Sequence, residues 1–415
     1  VSGLVEAVVP RRLGTSYRWL LASSWTSNVG DGIALAAGPL LVASQTDEPF
    51  LVALAALAVW APPLLFGLYA GVLTDRVDRR LIVVCVDLVR VVVLTVLTTF
   101  VVTGSVSIAV VLAALFALGT AEMFADNASS ALLPMLVHRD DLAIANSRLQ
   151  VGLITLNQLA GPPIGAVLFS VGMAWPFGVQ AVLVLLGAVL VSRVVLPAAE
   201  REAESVSKIS HDIAEGFRWV WHHAAVRTLV LTIFIFNITF GAAWSVLVLY
   251  ATQRLDLGTI GFGLVTTVGA AGGLAGTLSY GWITRHVSLG DLMRVGLVVE
   301  TLTHLGLALT TSPYVALPIF FVFGAHAFIW GTTSITVRQR AVPSALQGRV
   351  GSVYLVGVFG GLVIGSGLGG VLAQHYGVAA PFWFAFVGSA VFVVLIWRQL
   401  SHIAHADEAD APLGV

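Results

Sequence analysis

The chain has 415 residues, 58% of them hydrophobic and only 10% charged, with 21 Lys and Arg against 22 Asp and Glu. A soluble globular domain carries roughly 25% charged residues, so this composition cannot cover a water-facing surface. The near-zero net charge gives no electrostatic reason to expect nucleic acid as a partner, and the single cysteine, Cys85, excludes an internal disulfide and a thiolate metal cluster.

A helix needs about 20 apolar residues to cross the hydrocarbon core. Twelve such runs, separated by turn or charge signals, follow in chain order: Tyr17–Ser44, Phe50–Leu73, Leu81–Thr103, Val106–Ala128, Asn146–Val171, Trp175–Val195, Leu229–Thr252, Gly258–Ile283, Leu292–Thr310, Tyr314–Thr336, Leu346–Ala373 and Val378–Trp397. Arg11, Arg12 and Arg18 precede the first run, which carries Asp31 and no small-residue cleavage site after it; a retained first helix is expected, not a removed signal peptide. With the N-terminus inside, every Lys and Arg except Arg254 falls in a cytoplasmic segment or an adjoining helix end. Both termini are therefore predicted to be cytoplasmic, in a multi-pass protein of the cell membrane.

The longest connection, Pro197–Val226, contains Glu200, Arg201, Glu202, Glu204 and Lys208. It divides the chain into six-helix bundles at 1–196 and 227–400, with a cytoplasmic linker at 197–226 and a tail at 401–415 expected to be disordered. Within the linker, "HDIAEGFRWVWHHAAVR" places Ile213, Phe217, Val220 and Trp221 on one helical face. Such a helix lies on the membrane surface or packs on protein, and the pattern alone allows both.

The second half echoes the first. "GVLTDR" (Gly71 to Arg76) matches "GWITRH" (Gly281 to His286) at an offset of 210, and Gly161-Pro162 with Gly165 matches Gly365-Ser366 with Gly369 at an offset of 204. Two six-helix repeats predict an all-α membrane fold with a substrate site near mid-membrane, worked by alternating access.

The segment "GVLTDRVDRR", Gly71 to Arg80, resembles the signature loop of the major facilitator superfamily. The resemblance implies a gate in which Asp75 sits at a helix N-terminus, favoured there by the helix dipole, with Gly71 allowing close approach and Arg76, Arg79 and Arg80 as the basic cluster. The arginines also satisfy the positive-inside rule, and Arg285 replaces the aspartate in the second copy. Further pieces are similar to the twelve-helix macrolide-efflux and enterobactin-exporter branch: "SNVGDGIALAAGPLLV", "DLVR", "LLPMLVHRDDLAIANSRLQ" and "AEGFRWVWHHAAVRTL". That branch implies export of drug-like or siderophore-like molecules, usually driven by protons. "NQLAGPPIGAVL" partly resembles the antiporter motif, matching it at Gly161, Pro162 and Gly165; close helix packing is the other use of these residues, as of Gly365 and Gly369.

An ionisable group in hydrocarbon costs about 2.5–3.5 kcal/mol on insertion scales, so each one calls for a partner or a function. Asp31 falls near the middle of the first run with Asn28 one turn away, as a coupling carboxylate or a hydrogen bond at a kink between Gly30 and Gly32. Glu122 and Asp126 share one face of the fourth run, Asp126 nearer the cytoplasmic rim. Asp87 with Arg90, and Glu300 with His304, read as locally neutralised pairs. Asn237 and Trp244 on the seventh run and His326 and Trp330 on the tenth are candidate polar and aromatic contacts from the second half. The resemblance places the first, fourth, seventh and tenth helices around a central cavity.

No P-loop, His/Glu metal motif or nucleophile elbow occurs, so neither an enzyme nor a cofactor is expected. The expected partners are a small-molecule substrate, protons and the bilayer, with the chain as a monomer. Proton-driven export competes with a facilitator, lipid flippase or importer that needs no proton.

Overall fold

The structure is a computed structural model that describes residues 11–196, 209–343 and 346–400. The acidic part of the linker (197–208) and the tail at 401–415 lie outside the described residues, as do the side chains of Asp75 and Ile213.

A bilayer offers no water to backbone amides, so a spanning segment must satisfy its own hydrogen bonds. The described residues form helices and no strand. Among the described residues, ten helices are long and apolar enough to cross a membrane. Two more complete the twelve: Gly14–Gln45, whose apolar character is diluted by Ser23, Ser24, Thr26, Ser27, Asn28 and Asp31, and the 17-residue Ala380–Ile396. The spans from second to fourth are Pro49–Arg76, Arg79–Val102 and Ile108–Leu136. The fourth runs eight residues past the expected Ala128, because Leu132 and Leu133 are buried and carry the helix on. Span six is Trp175–Ser192, and spans eight to eleven are Thr259–His286, Leu289–Leu309, Pro313–Ala341 and Gln347–Tyr376.

Helix starts are set by local chemistry. The Asp78 carboxylate accepts the N–H groups of Arg80 (2.9 Å) and Leu81 (3.2 Å), capping the third span, and the Ser288 hydroxyl accepts the Asp291 N–H (3.1 Å) at the ninth. The fifth span is built in three parts: Leu142–Gly152, a π-helical stretch Leu153–Ala160, and Gly161–Val171. Pro162 and Pro163 offer no N–H to the carbonyls one turn earlier, which loosens the ladder into the wider π form. The seventh span, Ala224–Trp244, continues through Leu247–Leu249 and a second π turn, Tyr250–Arg254. Arg254 then donates to the Thr310 (3.0 Å) and Ala308 (2.6 Å) carbonyls and caps the end of the ninth span.

The chain forms two compact units, one from Val1–Asp47, Ala61–Glu204 and Gly258–Thr267, the other from Glu48–Trp60, Ser205–Leu257 and Val268–Val415. The ends of the second and eighth spans thus depart from a simple division at the linker. Residues 48–60 belong with the second unit, where the Phe50 N–H donates to Gln374 Oε1 (3.3 Å). Residues 258–267 belong with the first, where Thr267 Oγ1 donates to the Leu159 carbonyl (3.2 Å).

Each unit uses glycine where equivalent spans cross closely. A Cβ at Gly161 or Gly165 would run into the backbone of Gly32 or Ile33 in the first span. A Cβ at Gly365 or Gly369 would run into the backbone of Ile238 or Ala242 in the seventh. The sequence repeat is therefore a repeat of backbone contact between equivalent spans.

The linker helix, Ile209–His222, uses its faces differently. Val220 is buried with Val226, Val342, Val350 and Val353, Gly216 lies on the Arg349 backbone, and Glu215 pairs with Arg349 (2.9 Å). Phe217 and Trp221 are exposed and stack on each other at 6.0 Å.

Candidate functional site: a charge cluster in the first unit and a histidine cluster in the second

Asp31 lies 17 residues into a 32-residue helix, about 26 Å along it and near its middle. It does not stand alone. The Arg90 guanidinium from the third span bonds Asp31 through Nη2 and Asp87 through Nη1 (3.2 Å). Asp87 with Arg90 is accordingly not a closed local pair, because the arginine also reaches the first span. Arg90 is buried, and Asp31 and Asp87 have side chains 13% and 4% exposed.

Gln180 of the sixth span completes the contact by donating Nε2 to Asp31 (3.4 Å), while its Oε1 is buried without a hydrogen bond. Glu122 and Asp126 lie one turn apart on the fourth span. Asp126 is exposed and Glu122 half-buried. Asn28 turns back on its own helix, donating Nδ2 to the Ser24 carbonyl (2.7 Å). It does not join the cluster.

The signature loop is tied to its own unit. Arg79 donates Nε to the Thr74 carbonyl and Nη1 to the Ala131 carbonyl, both at 3.2 Å, and Arg80 Nη1 donates to the Val194 carbonyl (2.9 Å). Cationic groups at exposed carbonyl ends are favoured by the helix dipole. Arg76 is exposed, and a Cβ at Gly71 meets nothing within 4 Å, so no close helix approach occurs at that glycine.

The second unit holds a different group. His326 Nε2 lies 3.5 Å from Glu300 Oε2, and His304 Nε2 lies 3.9 Å from Glu300 Oε1. The glutamate thus stands between imidazoles of two spans. Trp244 meets the His304 ring edge-on at 6.0 Å and packs with Phe240 and Phe323, both at 4.5 Å, and with Phe320 at 6.0 Å. Asn237 donates back to the Ile233 carbonyl (2.7 Å), and Trp330 is buried in the hydrophobic cluster with Met293 and Leu297.

Sequence reasoning did not single out Gln180, although one amide in the apolar run "WPFGVQAVLVLLGAVLVS" was a signal of the same kind as Asp31. Nor did it join Glu300 to His326. Among the described residues no three His, Cys, Asp or Glu side chains are placed to hold a metal ion together.

Twelve spans, duplicated helix packing and buried charge clusters define a membrane transporter of the major facilitator fold. The transmembrane secretion effector family matches residues 7–412, nearly the whole chain, and the protein belongs to that family, one of transporters of the major facilitator type. It is 28% identical over 390 residues to the multidrug efflux pump Tap of Mycolicibacterium fortuitum, covering 88% of this chain and 90% of that one. It is 23% identical over 365 residues to macrolide efflux protein A of Streptococcus pyogenes (85% and 87% covered), and 26% identical over 351 residues to the putative bacilysin exporter BacE of Bacillus subtilis (83% and 85%). Among solved structures, a bacterial homologue of the iron transporter ferroportin in its inward-facing state superposes with a TM-score of 0.75 at 16% identity, covering 93% of this chain and 98% of that one. A bacterial metal transporter superposes at 0.67 and 17% identity, with 94% and 99% covered. At such identities these likenesses concern the fold alone.

Proposed function

We propose that this protein exports amphipathic, drug-like small molecules across the cell membrane, with both termini in the cytoplasm, in exchange for protons carried by the carboxylates around Arg90. The carrying observation is the geometry of that site: one buried guanidinium, Arg90, bonds two carboxylates of different spans, Asp31 and Asp87. With both ionised the bonded group holds one uncompensated negative charge. Each uncompensated charge in hydrocarbon costs about 2.5–3.5 kcal/mol on insertion scales, and a bound proton or a cationic substrate removes that cost. The two compete for the same carboxylates, which is the thermodynamic requirement of antiport. Asp31 is the proposed exchange point, because protonating it removes one of the two carboxylate charges that hold Arg90. The relatives named as efflux proteins support the outward direction and the drug-like substrate class.

The test is export of a cationic fluorescent drug from proteoliposomes under an imposed pH gradient. Wild-type export should collapse with a protonophore, and Asp31→Asn should abolish gradient-driven export while retaining counterflow without a gradient. Export that ignores both the protonophore and Asp31→Asn would instead identify a facilitator.

A further inference from the structure

Three observations converge on the second unit. The His304 side chain is fully buried, yet neither ring nitrogen has a hydrogen-bond partner. An unmade hydrogen bond of a buried polar group costs about 1–3 kcal/mol, which an apolar residue at that position would avoid. Its Nε2 is aimed at Glu300 from just beyond bonding distance, while the other Glu300 oxygen faces His326.

The second observation is the repeat. The offset of 210 that relates the two loop copies carries Arg90 onto Glu300, and the offset of 204 that relates the packing glycines carries Glu122 onto His326. By these offsets a carboxyl stands in the ninth span where the third has Arg90, and an imidazole in the tenth where the fourth has Glu122. Third, among the described residues the ion-pair partners of Glu300 are histidines and not a lysine or arginine. Arg294 on the ninth span pairs with Asp291 (3.4 Å), Arg338 on the tenth lies over Tyr354, and the twelfth span, Ala380–Ile396, has no titratable residue. From the seventh span the contact is Trp244, and Tyr250 beyond it donates to the Leu307 carbonyl (2.6 Å).

We infer that Glu300, His304 and His326 form a second proton-binding site, in which one proton is shared between the Glu300 carboxyl and the two imidazoles beneath the aromatic cluster of Trp244, Phe240, Phe320 and Phe323. With that proton the group is neutral overall, on either the carboxyl oxygen or an imidazole nitrogen. Moving it breaks an O–H bond and forms an N–H bond, leaving the neighbours as carboxylate and imidazolium. Releasing it leaves a net charge of minus one. Because His304 lies under Trp244, the state of the site bears directly on the ring that anchors the aromatic cluster. The inference deepens the antiport reading and rests on it.

The experiment is proton counting with purified protein in weakly buffered detergent solution, with no gradient. Tetraphenylphosphonium, a lipophilic cation, is added between about pH 5 and 9, the range in which carboxyl and imidazole groups exchange protons. Wild-type protein should release protons on binding the cation; Glu300→Gln should release fewer by up to one per chain, and His326→Asn should displace the pH at which release is half complete. Both variants should keep the wild-type elution volume, and if Glu300→Gln fails to fold, His326→Asn decides. Release unchanged from wild type in the folded variants at every pH would overturn the second site while leaving the Asp31 reading intact. Absence of release from wild-type protein would instead overturn the antiport reading itself.

Discussion

Replacing Arg90 with glutamine removes the one cation that holds the first unit's charge cluster together. The Arg90 side chain is 3% exposed and bonds two carboxylates from different spans, so solvent screens the interaction little. Stripping one partner from a buried ion pair costs about 3–5 kcal/mol, because the charge left behind stays desolvated and unpaired. At an unfolding entropy of about 2.1 cal/mol/K per residue, a cooperatively melting unit of about 200 residues changes by about 0.4 kcal/mol per degree. Arg90→Gln should therefore lower the melting temperature by about 7–12 °C, measured by tryptophan fluorescence of purified protein in detergent. The triple variant Asp31→Asn/Asp87→Asn/Arg90→Gln removes the stranded charges as well and should recover more than half of that loss. A single variant that melts within about 2 °C of wild type would refute the central role of Arg90. A triple variant that melts as low as the single would show that the loss is one of packing, not charge.

Gly165→Leu should prevent assembly of the first unit, since a side chain there meets the Ile33 backbone, whereas Gly71→Ala, facing open space, should express and melt like wild type; size-exclusion profiles of both separate the cases. Gln180→Leu trades one long hydrogen bond and one unsatisfied oxygen for apolar surface and should change stability by less than about 1 kcal/mol, while slowing gradient-driven export by freeing Asp31; unchanged export would remove Gln180 from the site. At the linker, Glu215→Ala loses a bridge whose side chains are 37% and 35% exposed and should cost no more than about 1 kcal/mol. Gly216→Leu drives a side chain into the Arg349 backbone and should release the helix, read as faster proteolysis between residues 209 and 222.

The spans were legible because lipid demands an apolar run of fixed length, whereas the starts capped by Asp78 and Ser288 lie a few residues before the apolar runs begin at Leu81 and Leu292. Charge pairs within one helix were equally legible, since a turn brings residues i and i+3 or i+4 together. Contacts across helices were not. Arg90 spaced three from Asp87 reads as closed, and nothing in the spacing says that the same guanidinium also reaches Asp31. Glu300 and His304 read likewise until the crossing of the ninth and tenth spans brings in His326. Crossing angles arise from how side-chain ridges interlock, a property of two surfaces together. The same limit applies to Gly71, whose open surroundings follow from the placement of neighbouring helices and not from its motif.

The repeat clarifies why two halves of one transporter need not share a chemistry. What is duplicated is backbone contact, since Gly161 and Gly165 meet the first span as Gly365 and Gly369 meet the seventh. Such glycines are constrained by sterics, and a side chain of any kind would separate the helices. The polar centres differ in chemistry: in the first unit one guanidinium bonds two carboxylates, and in the second one carboxyl lies between two imidazoles. The first arrangement contains a permanent cation, which under the antiport proposal stays in place while a proton and a cationic guest exchange. The second has no permanent charge, so its neutrality depends wholly on holding a proton. Two such centres, one charged and one neutral at rest, would answer the same proton gradient at different points of a transport cycle, and Asp31→Asn and Glu300→Gln should therefore impair different steps, export under a gradient in the first case and proton release on drug binding in the second.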